Sequence, residues 1–541
     1  MIQQRLRKAA TAAFFIFCFT AIAHGREAVV AQRFIVSAAH PLAAEAGYDM
    51  LKRGGSALDA AIAVQLVLGL VEPESSGIGG GAFLLYWSER ERKLRSYDGR
   101  ETAPGAARAD RFLDKEGKPL ALMEAIVGGR SVGVPGVLRM LELAHRRHGR
   151  LPWAALFQPA ISIAENGFAL SARLHDVLEG EKYLRDDLQA RRIFYGKATG
   201  ERVINREYAA TLRAIAAGGA DVFYRGEIAN DIVRAVRSHA KPGDLNAGDL
   251  AAYRAVEREP LCAPYRRWRV CSMGPPSSGG IAVLQMLGIL ENTRFAAAQA
   301  GSVETVHLFS EAGKLAYADR ARYLGDPDFI AVPVERLLSR AYLKQRAKLV
   351  GERATRRALP GDREAGTSHL SIVAPDGDVV AMTTTIESPF GSRIMVRGFL
   401  LNNELTDFDF TPGSANEVAP GKRPRSSMAP TIVFSGDRVQ MVVGSPGGSA
   451  IINYVAKTLV AALDWRLDIQ RAIEVPNFGS RNGPTQLEAG SSYETLASGL
   501  RARGHEVQFA PLQSGVHGVE RFGAGWRGGA DPRREGVAKG D

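Results

Sequence analysis

The alternation that begins at Thr367 constrains this chain more than any other feature. The runs HLSIVAP, DGDVVAMTTTIE, RPRSSMAPTIVFSG and DRVQMVVGSPGG follow one another, with HEVQFAPL later, and turn signals at Pro375-Asp376-Gly377 and Ser435-Gly436-Asp437 separate them. Such period-2 runs read as half-buried strands, whose apolar faces must be covered by another layer. Ahead of them, Phe34 to Ala38 reads as a strand and PLAAEAGYDMLKRGG as a helix stopped at Gly54-Gly55. Ser56 can cap a second helix, DAAIAVQLVLGLV, which is apolar nearly all round and therefore belongs in an interior. Two more strands, AFLLYWS and LRSYDGR, precede a helix-rich stretch from Val137 to Ser310, and the polar run Lys344 to Glu364 reads as a linker. This order predicts a layered α+β or α/β sandwich with helices on the outer faces of its sheets.

The 541 residues, 45% of them apolar, suffice for a large core, and the 58 glycines suit tight turns and close backbone approaches. Residues 1–24 combine basic Arg5, Arg7 and Lys8 with an apolar run from Ala9 to Ala23, the pattern of a secretory signal peptide, with an uncleaved anchor as the rival reading. Export to the periplasm or the medium is expected, with no membrane span after the leader is removed. The net charge of +11 is scattered without an aromatic-interleaved stripe, which argues against nucleic-acid binding. Beyond the leader only Cys262 and Cys271 remain; an oxidising compartment permits a bridge between them, and spacing leaves the bridged and free forms both open. Two cysteines and no HExxH motif give no support to a metal, and no cofactor is expected.

Two stretches carry chemistry. In EAGTSHLSIV, Thr367 stands between a glycine and the start of a strand. A threonine hydroxyl is a weak nucleophile that needs a base, and breaking the Gly366–Thr367 bond would supply one: an α-amine of pKa about 8 on the same residue. Without the cut, Thr367 is simply a loop residue entering a strand. In GSPGGS, Gly447 and Gly448 lie at a strand-to-helix turn, where adjacent N–H groups can converge on an oxyanion; the plainer reading is a turn that needs glycine.

Further motifs stand in one order along the chain: DGRETAP (Asp98 to Pro104), PPSSGG (Pro275 to Gly280), TSHLS from Thr367, LNNE with Asp407 downstream, KRPRSSMAPT (Lys422 to Thr431) and GSPGG (Gly444 to Gly448). On these the chain, from about Ile35 to Gly529, resembles the γ-glutamyltranspeptidases of the N-terminal nucleophile hydrolase superfamily. The resemblance implies a four-layer αββα sandwich and a precursor that cuts itself into a large fragment, 25–366, and a small catalytic one, 367–541, which stay together as a heterodimer. It implies glutathione or another γ-glutamyl amide as donor, and water, an amino acid or a dipeptide as acceptor.

By the same resemblance Thr367 is the nucleophile, Thr385 the hydroxyl that bonds its amine and assists processing, and Gly447 with Gly448 the oxyanion hole. Arg100, helped by Ser426 and Ser427, would hold the donor's α-carboxylate, and Asp407, with Glu404 beside it, the α-ammonium. A guanidinium fork suits a carboxylate, although an arginine in a surface salt bridge is the ordinary alternative. This chain has Glu387 where the family often has Asn, and Glu404 where it often has Gln, so Glu387 must avoid repelling the substrate carboxylate. From Asp407 only DFTPGSANEVAPG precedes Lys422, shorter than the lid of several bacterial members, and an open cleft is expected. Two other readings stand: a related amidase or acylase acting on another acyl group or on γ-linked polyglutamate, and a secreted binding protein without activity.

Overall fold

The computed structural model describes residues 26–355 and 366–541. The leader, and the part of the expected linker from 356 to 364, lie outside the described residues; the start of that run, Lys344 to Ala347, belongs to a helix, Arg340–Ala347.

Two seven-stranded antiparallel sheets form the centre. Their strands, in chain order, are β1 (Val29–Ala31), β2 (Ile35–Ala38), β3 (Gly81–Ser88), β4 (Lys93–Gly99), β5 (Val256–Arg258), β6 (Leu261–Tyr265), β7 (Trp268–Ser272), β8 (Gly366–Val373), β9 (Val379–Glu387), β10 (Thr431–Ser435), β11 (Arg438–Gly444), β12 (His517–Phe522), β13 (Gly525–Ala530) and β14 (Val537–Gly540). One sheet runs β14-β2-β8-β9-β3-β4-β5 and the other β1-β13-β12-β11-β10-β7-β6. Both therefore interleave strands from before and after the Gly366–Thr367 bond, so neither of these two central sheets is complete within one part of the chain.

Each sheet has two buried faces, and the strand pattern says which residue goes where. On β8, Leu370 and Ile372 point to the helices α1 (Pro41–Lys52) and α2 (Ala57–Val71), while Val373 joins Leu85, Trp87, Ile432, Phe434 and Val442 between the sheets. The apolar character of α2 on all sides is explained by complete burial of its 15 residues, and Ser56 and Asp59 close a reciprocal capping box at its start. Helices α3 (Gly279–Glu291), α4 (Val303–Tyr323) and α5 (Ile451–Leu463) cover the other sheet. The result is the expected αββα sandwich.

Cys262 and Cys271 are direct partners across the β6–β7 hairpin and are joined as a disulfide. HEVQFAPL forms a strand (Val507–Ala510), but in a separate three-stranded sheet. In RPRSSMAPTIVFSG only Thr431–Ser435 is extended into a strand; the residues before it are a loop over the site. No helix among the described residues is long and apolar enough to cross a membrane.

Candidate active site

Thr367 is the second residue of β8, buried, with the peptide bond to Gly366 intact inside the strand. A bulge in the β8–β9 pairing falls between these two residues: Gly366 faces Glu387 and Thr367 faces Thr385. The glycine is required by close approach, since a Cβ there would come 2.5 Å from the Glu74 carbonyl oxygen. Thr385 Oγ1 donates to the Gly366 carbonyl at 2.8 Å, lies 3.5 Å from Thr367 Oγ1 and accepts from the Glu387 N–H at 2.7 Å. In the uncut chain, then, the Thr385 hydroxyl serves the carbonyl in front of Thr367. Arg534 Nη1 donates to the Thr367 carbonyl at 3.1 Å, and Ser368 Oγ donates to Glu72 at 2.8 Å.

A cavity of about 380 Å³ joins Thr367 and Thr385 to Arg100, Glu387, Glu404, Asp407, Ser426, Ser427 and Gly448. Nearly every residue singled out in the sequence meets there. Gly447 lines a second cavity, of about 480 Å³, together with Gly366, Arg173 and Arg534. The two glycines thus line different cavities, at φ 130° and φ 53°, conformations that suit glycine. They end the loop from β11, and one 3₁₀ turn (Gly448–Ala450) leads into α5.

The Arg100 side of the first cavity is set by buried polar motifs. Asp98 accepts from the Arg100 N–H at 2.8 Å and fixes the turn after β4. The Arg100 side chain is fully buried: Nε donates to the Pro424 carbonyl at 3.0 Å, Nη1 pairs with Glu404, and Nη2 reaches Asp407 at 2.6 Å. A buried, doubly paired arginine replaces the surface salt bridge that was its ordinary alternative. Burial works against the Arg100 charge, but Glu404 and then Asp407 outweigh it and hold its pKa above the usual value. Burial also pushes the Glu404 carboxyl well above the usual range, with Arg100 opposing.

In LNNE, Asn402 donates to the carbonyls of Gly79 and Gly133 and accepts from the Glu404 N–H at 3.0 Å, so that the motif places Glu404. Asn403 donates to Glu387 at 2.7 Å and to Thr406 at 2.9 Å. Ser388 Oγ also donates to Glu387, whose φ of 79° is unfavourable for a non-glycine residue by roughly 1–3 kcal/mol. PPSSGG supports the loop of KRPRSSMAPT: Ser277 Oγ donates to the Met428 carbonyl and Ser278 Oγ to that of Ser426, both at 2.5 Å. The segment after Asp407 is short, yet Asp409 and Phe410 still line the cavity, and Phe410 stacks on Phe112 at 4.6 Å.

Four charged residues stand out among those at the site that were not singled out from sequence. Arg320, from α4, donates to Ser427 Oγ at 2.9 Å and to Ser278 Oγ at 2.8 Å. Arg481 lines both cavities and donates to Ser449 Oγ at 2.7 Å. Arg534 and Glu101 are the others. Arginines on helices and loops carry no spacing signal, whereas Glu101 stands inside DGRETAP and was open to notice. Among the described residues His307, Glu311 and His505 have ligand atoms close enough for a metal ion. Each is already bonded within the protein, and none lines either cavity.

A two-sheet sandwich with a hydroxyl residue at the start of a central strand, facing a cavity, defines an N-terminal nucleophile hydrolase fold. The sequence matches the γ-glutamyltranspeptidase pattern over residues 43–541, and the chain belongs to that family. It is 35% identical to a glutathione hydrolase proenzyme of Bacillus subtilis (strain 168), covering 94% of this chain and 91% of that one. It is 36% identical to the glutathione hydrolase proenzyme of Escherichia coli (strain K12), covering 93% and 91%. Among solved structures it is similar to a cephalosporin acylase from Bacillus halodurans, with a TM-score of 0.85 at 29% identity over 98% of this chain and 99% of that one.

Proposed function

We propose that this protein is an exported γ-glutamyltransferase and glutathione hydrolase, which cuts itself between Gly366 and Thr367 and then works through a threonine ester. The observation that carries the reading is the meeting of Thr367, the Thr385-bonded Gly366 carbonyl and the Arg100–Glu404–Asp407 cluster around one cavity.

In maturation, Thr367 Oγ1 attacks the Gly366 carbonyl carbon, whose oxygen already accepts from Thr385; the resulting ester is opened by water, leaving 25–366 and 367–541 as a heterodimer held by shared sheets. In turnover, the freed α-amine takes the proton of Oγ1 as it attacks the γ-amide carbon. The N–H groups of Gly447 and Gly448 receive the oxyanion, and the amine product leaves. Water, or the amine of an amino acid or dipeptide, then takes the γ-glutamyl group. Arg100 with Ser426 and Ser427 holds the donor's α-carboxylate, and Asp407 with Glu404 its α-ammonium. An acyl group joined through its α-carboxyl has no free carboxylate to offer Arg100, which selects γ-linked donors.

The purified protein is expected to run as two pieces on a denaturing gel, the smaller beginning TSHLS, and to release p-nitroaniline from γ-glutamyl-p-nitroanilide. A single full-length band with good activity overturns the mechanism. A second reading, an acylase for another carboxylate-bearing acyl group, is favoured by the likeness to the cephalosporin acylase over nearly the whole chain. Complete processing without turnover of γ-glutamyl anilides decides for it.

A further inference from the structure

Behind Arg100 the charges do not balance. Glu101 and Glu404 are both fully buried, their carboxyl groups meet as hydrogen-bonding neighbours, and Asp407 stands at the cavity edge. Arg100 is the cation paired with this group, and its two terminal nitrogens go to Glu404 Oε1 and Asp407 Oδ2. Both oxygens of Glu101 and Oε2 of Glu404 have no donor from the protein. Around Glu101 the packing is tight: a Cβ on Gly81 would collide with its Oε2, and one on Gly133 would come 2.9 Å from its Cβ, whereas Glu404 borders the cavity. Among the described residues, the charge of Glu387 also acts on Glu404, and that of Glu101 on the hydroxyls of Tyr224 and Tyr253. Glu387 adds negative charge. The tyrosine protons are already engaged, by the Pro135 carbonyl at 2.9 Å and the Arg100 carbonyl at 2.7 Å. Two buried carboxyl groups in contact are stable only when one donates a hydrogen bond to the other.

We propose that Glu101 and Glu404 hold one proton between them, and that a donor's α-ammonium, on seating against Glu404, expels this proton to solvent. The inference rests on the donor site as read above. It makes Glu101 a positioning residue: it sets the charge of Glu404 without touching the donor. A ligand with an ammonium replaces the proton by its own charge, whereas a ligand of the same length without one leaves the proton in place. Burial pushes the Glu101 carboxyl up to about 8, which puts the exchange in an accessible pH range.

The test is calorimetric titration of the purified, cut enzyme with L-glutamate and with glutarate at pH 6, 7 and 8. Both carry the same two carboxylates, so effects on Thr367, its amine and Arg100 cancel in the ratio of their dissociation constants. One proton released per glutamate bound makes the preference for glutamate over glutarate rise about tenfold per pH unit below pH 8. In Glu101→Gln, whose amide donates permanently to Glu404, the preference is expected to stay within about threefold across the range, and Glu404→Gln behaves likewise. A flat ratio in the unmodified enzyme, or an unchanged slope in Glu101→Gln, overturns the proposal. Turnover of γ-glutamyl-p-nitroanilide on the same preparation separates the two readings: activity with a flat ratio sinks this inference alone, and inactivity sinks the donor assignment itself.

Discussion

Two acid–arginine clusters flank the Gly366–Thr367 bond, and on the function proposed above the contrast between them separates recognition from maturation. Around Arg100, the partners Glu404 and Asp407 open on the cavity that holds Thr367, so a ligand carboxylate and ammonium can exchange with these charges. On the other side, Glu72, Glu74, Arg173 and Arg534 are directed at the bond itself. Glu72 takes the Ser368 hydroxyl, Arg534 the Thr367 carbonyl, and Arg173 lies 3.3 Å from Glu74, whose backbone crowds Gly366. Burial pushes Glu74 up to about 7, with Arg173 opposing. Similar residue types thus stand in different places, one set on the cavity that holds Thr367 and the other around the residues on either side of the Gly366–Thr367 bond.

The strongest way to break this division is Thr367→Ala, which is expected to abolish both cutting and turnover, since no other group supplies a hydroxyl and an amine at one residue. A gel and an anilide assay check it; either activity surviving removes the shared nucleophile. Next in size is Arg100→Ala. It leaves Glu404 and Asp407 without their cation, and roughly 2–5 kcal/mol of donor binding and transition-state stabilisation is lost. That corresponds to a fall in kcat/KM of about 30- to 5,000-fold, with processing complete. Processing blocked in this variant would mean that the two clusters are one machine.

How much of this was readable in the sequence depends on how local the signal is. Helix α2 was legible because a run apolar on every side has few places to go, and Ser56 before it has the cap chemistry. Strands β8 to β11 announced themselves by period-2 alternation, whereas β12 to β14, in HGVERF, GWRGGA and VAKG, were passed over because they are glycine-rich and carry charges. The burial of β12 and of the end of β13 comes from the neighbouring strands. The residues of the site were legible through family motifs, and most of them line one cavity. Their electrostatic state was not: that Arg100 is saturated by two carboxylates, and that Glu101 faces Glu404, follows from segments 300 residues apart meeting at the end of β4. The role of the PPSSGG serines, which hold the Ser426–Ser427 loop by its carbonyls, is equally a fact of three dimensions.

A smaller effect sharpens the comparison from the maturation side. Glu72→Gln keeps the shape of the side chain but replaces the carboxyl that accepts from Ser368 by an amide. The difference, about 1–1.5 kcal/mol, is expected to slow cutting about tenfold. The cut enzyme should keep kcat/KM within about threefold of the original, because Glu72 does not line the cavity that holds Thr367 and Arg100. A time course of fragment appearance, beside kinetics normalised to the cut form, measures both; an equal fall in the two rates would erase the distinction.

The smallest expected effect on neutral-pH activity belongs to His517, which lies behind the same strand and serves neither cluster. Its ring is fully buried, and the Ser371 hydroxyl on β8 donates to its carbonyl. Burial lowers its pKa to about 4. Because the folded value lies below the unfolded one of about 6.5, the unfolded chain takes up a proton first as the pH drops. The stabilising contribution of the neutral ring is therefore complete above pH 6.5 and is lost between 6.5 and 4, by about 1.4 kcal/mol per pH unit. His517→Gln removes this term, so the decline of unfolding free energy with acidification between pH 6.5 and 4.5 should be shallower by that amount, as denaturant titrations can measure. Turnover at pH 7.5 should remain within about twofold. If the slope stays the same and activity collapses instead, the layer between the sheets takes part in the site, and the division between scaffold and chemistry would have to be redrawn along β8.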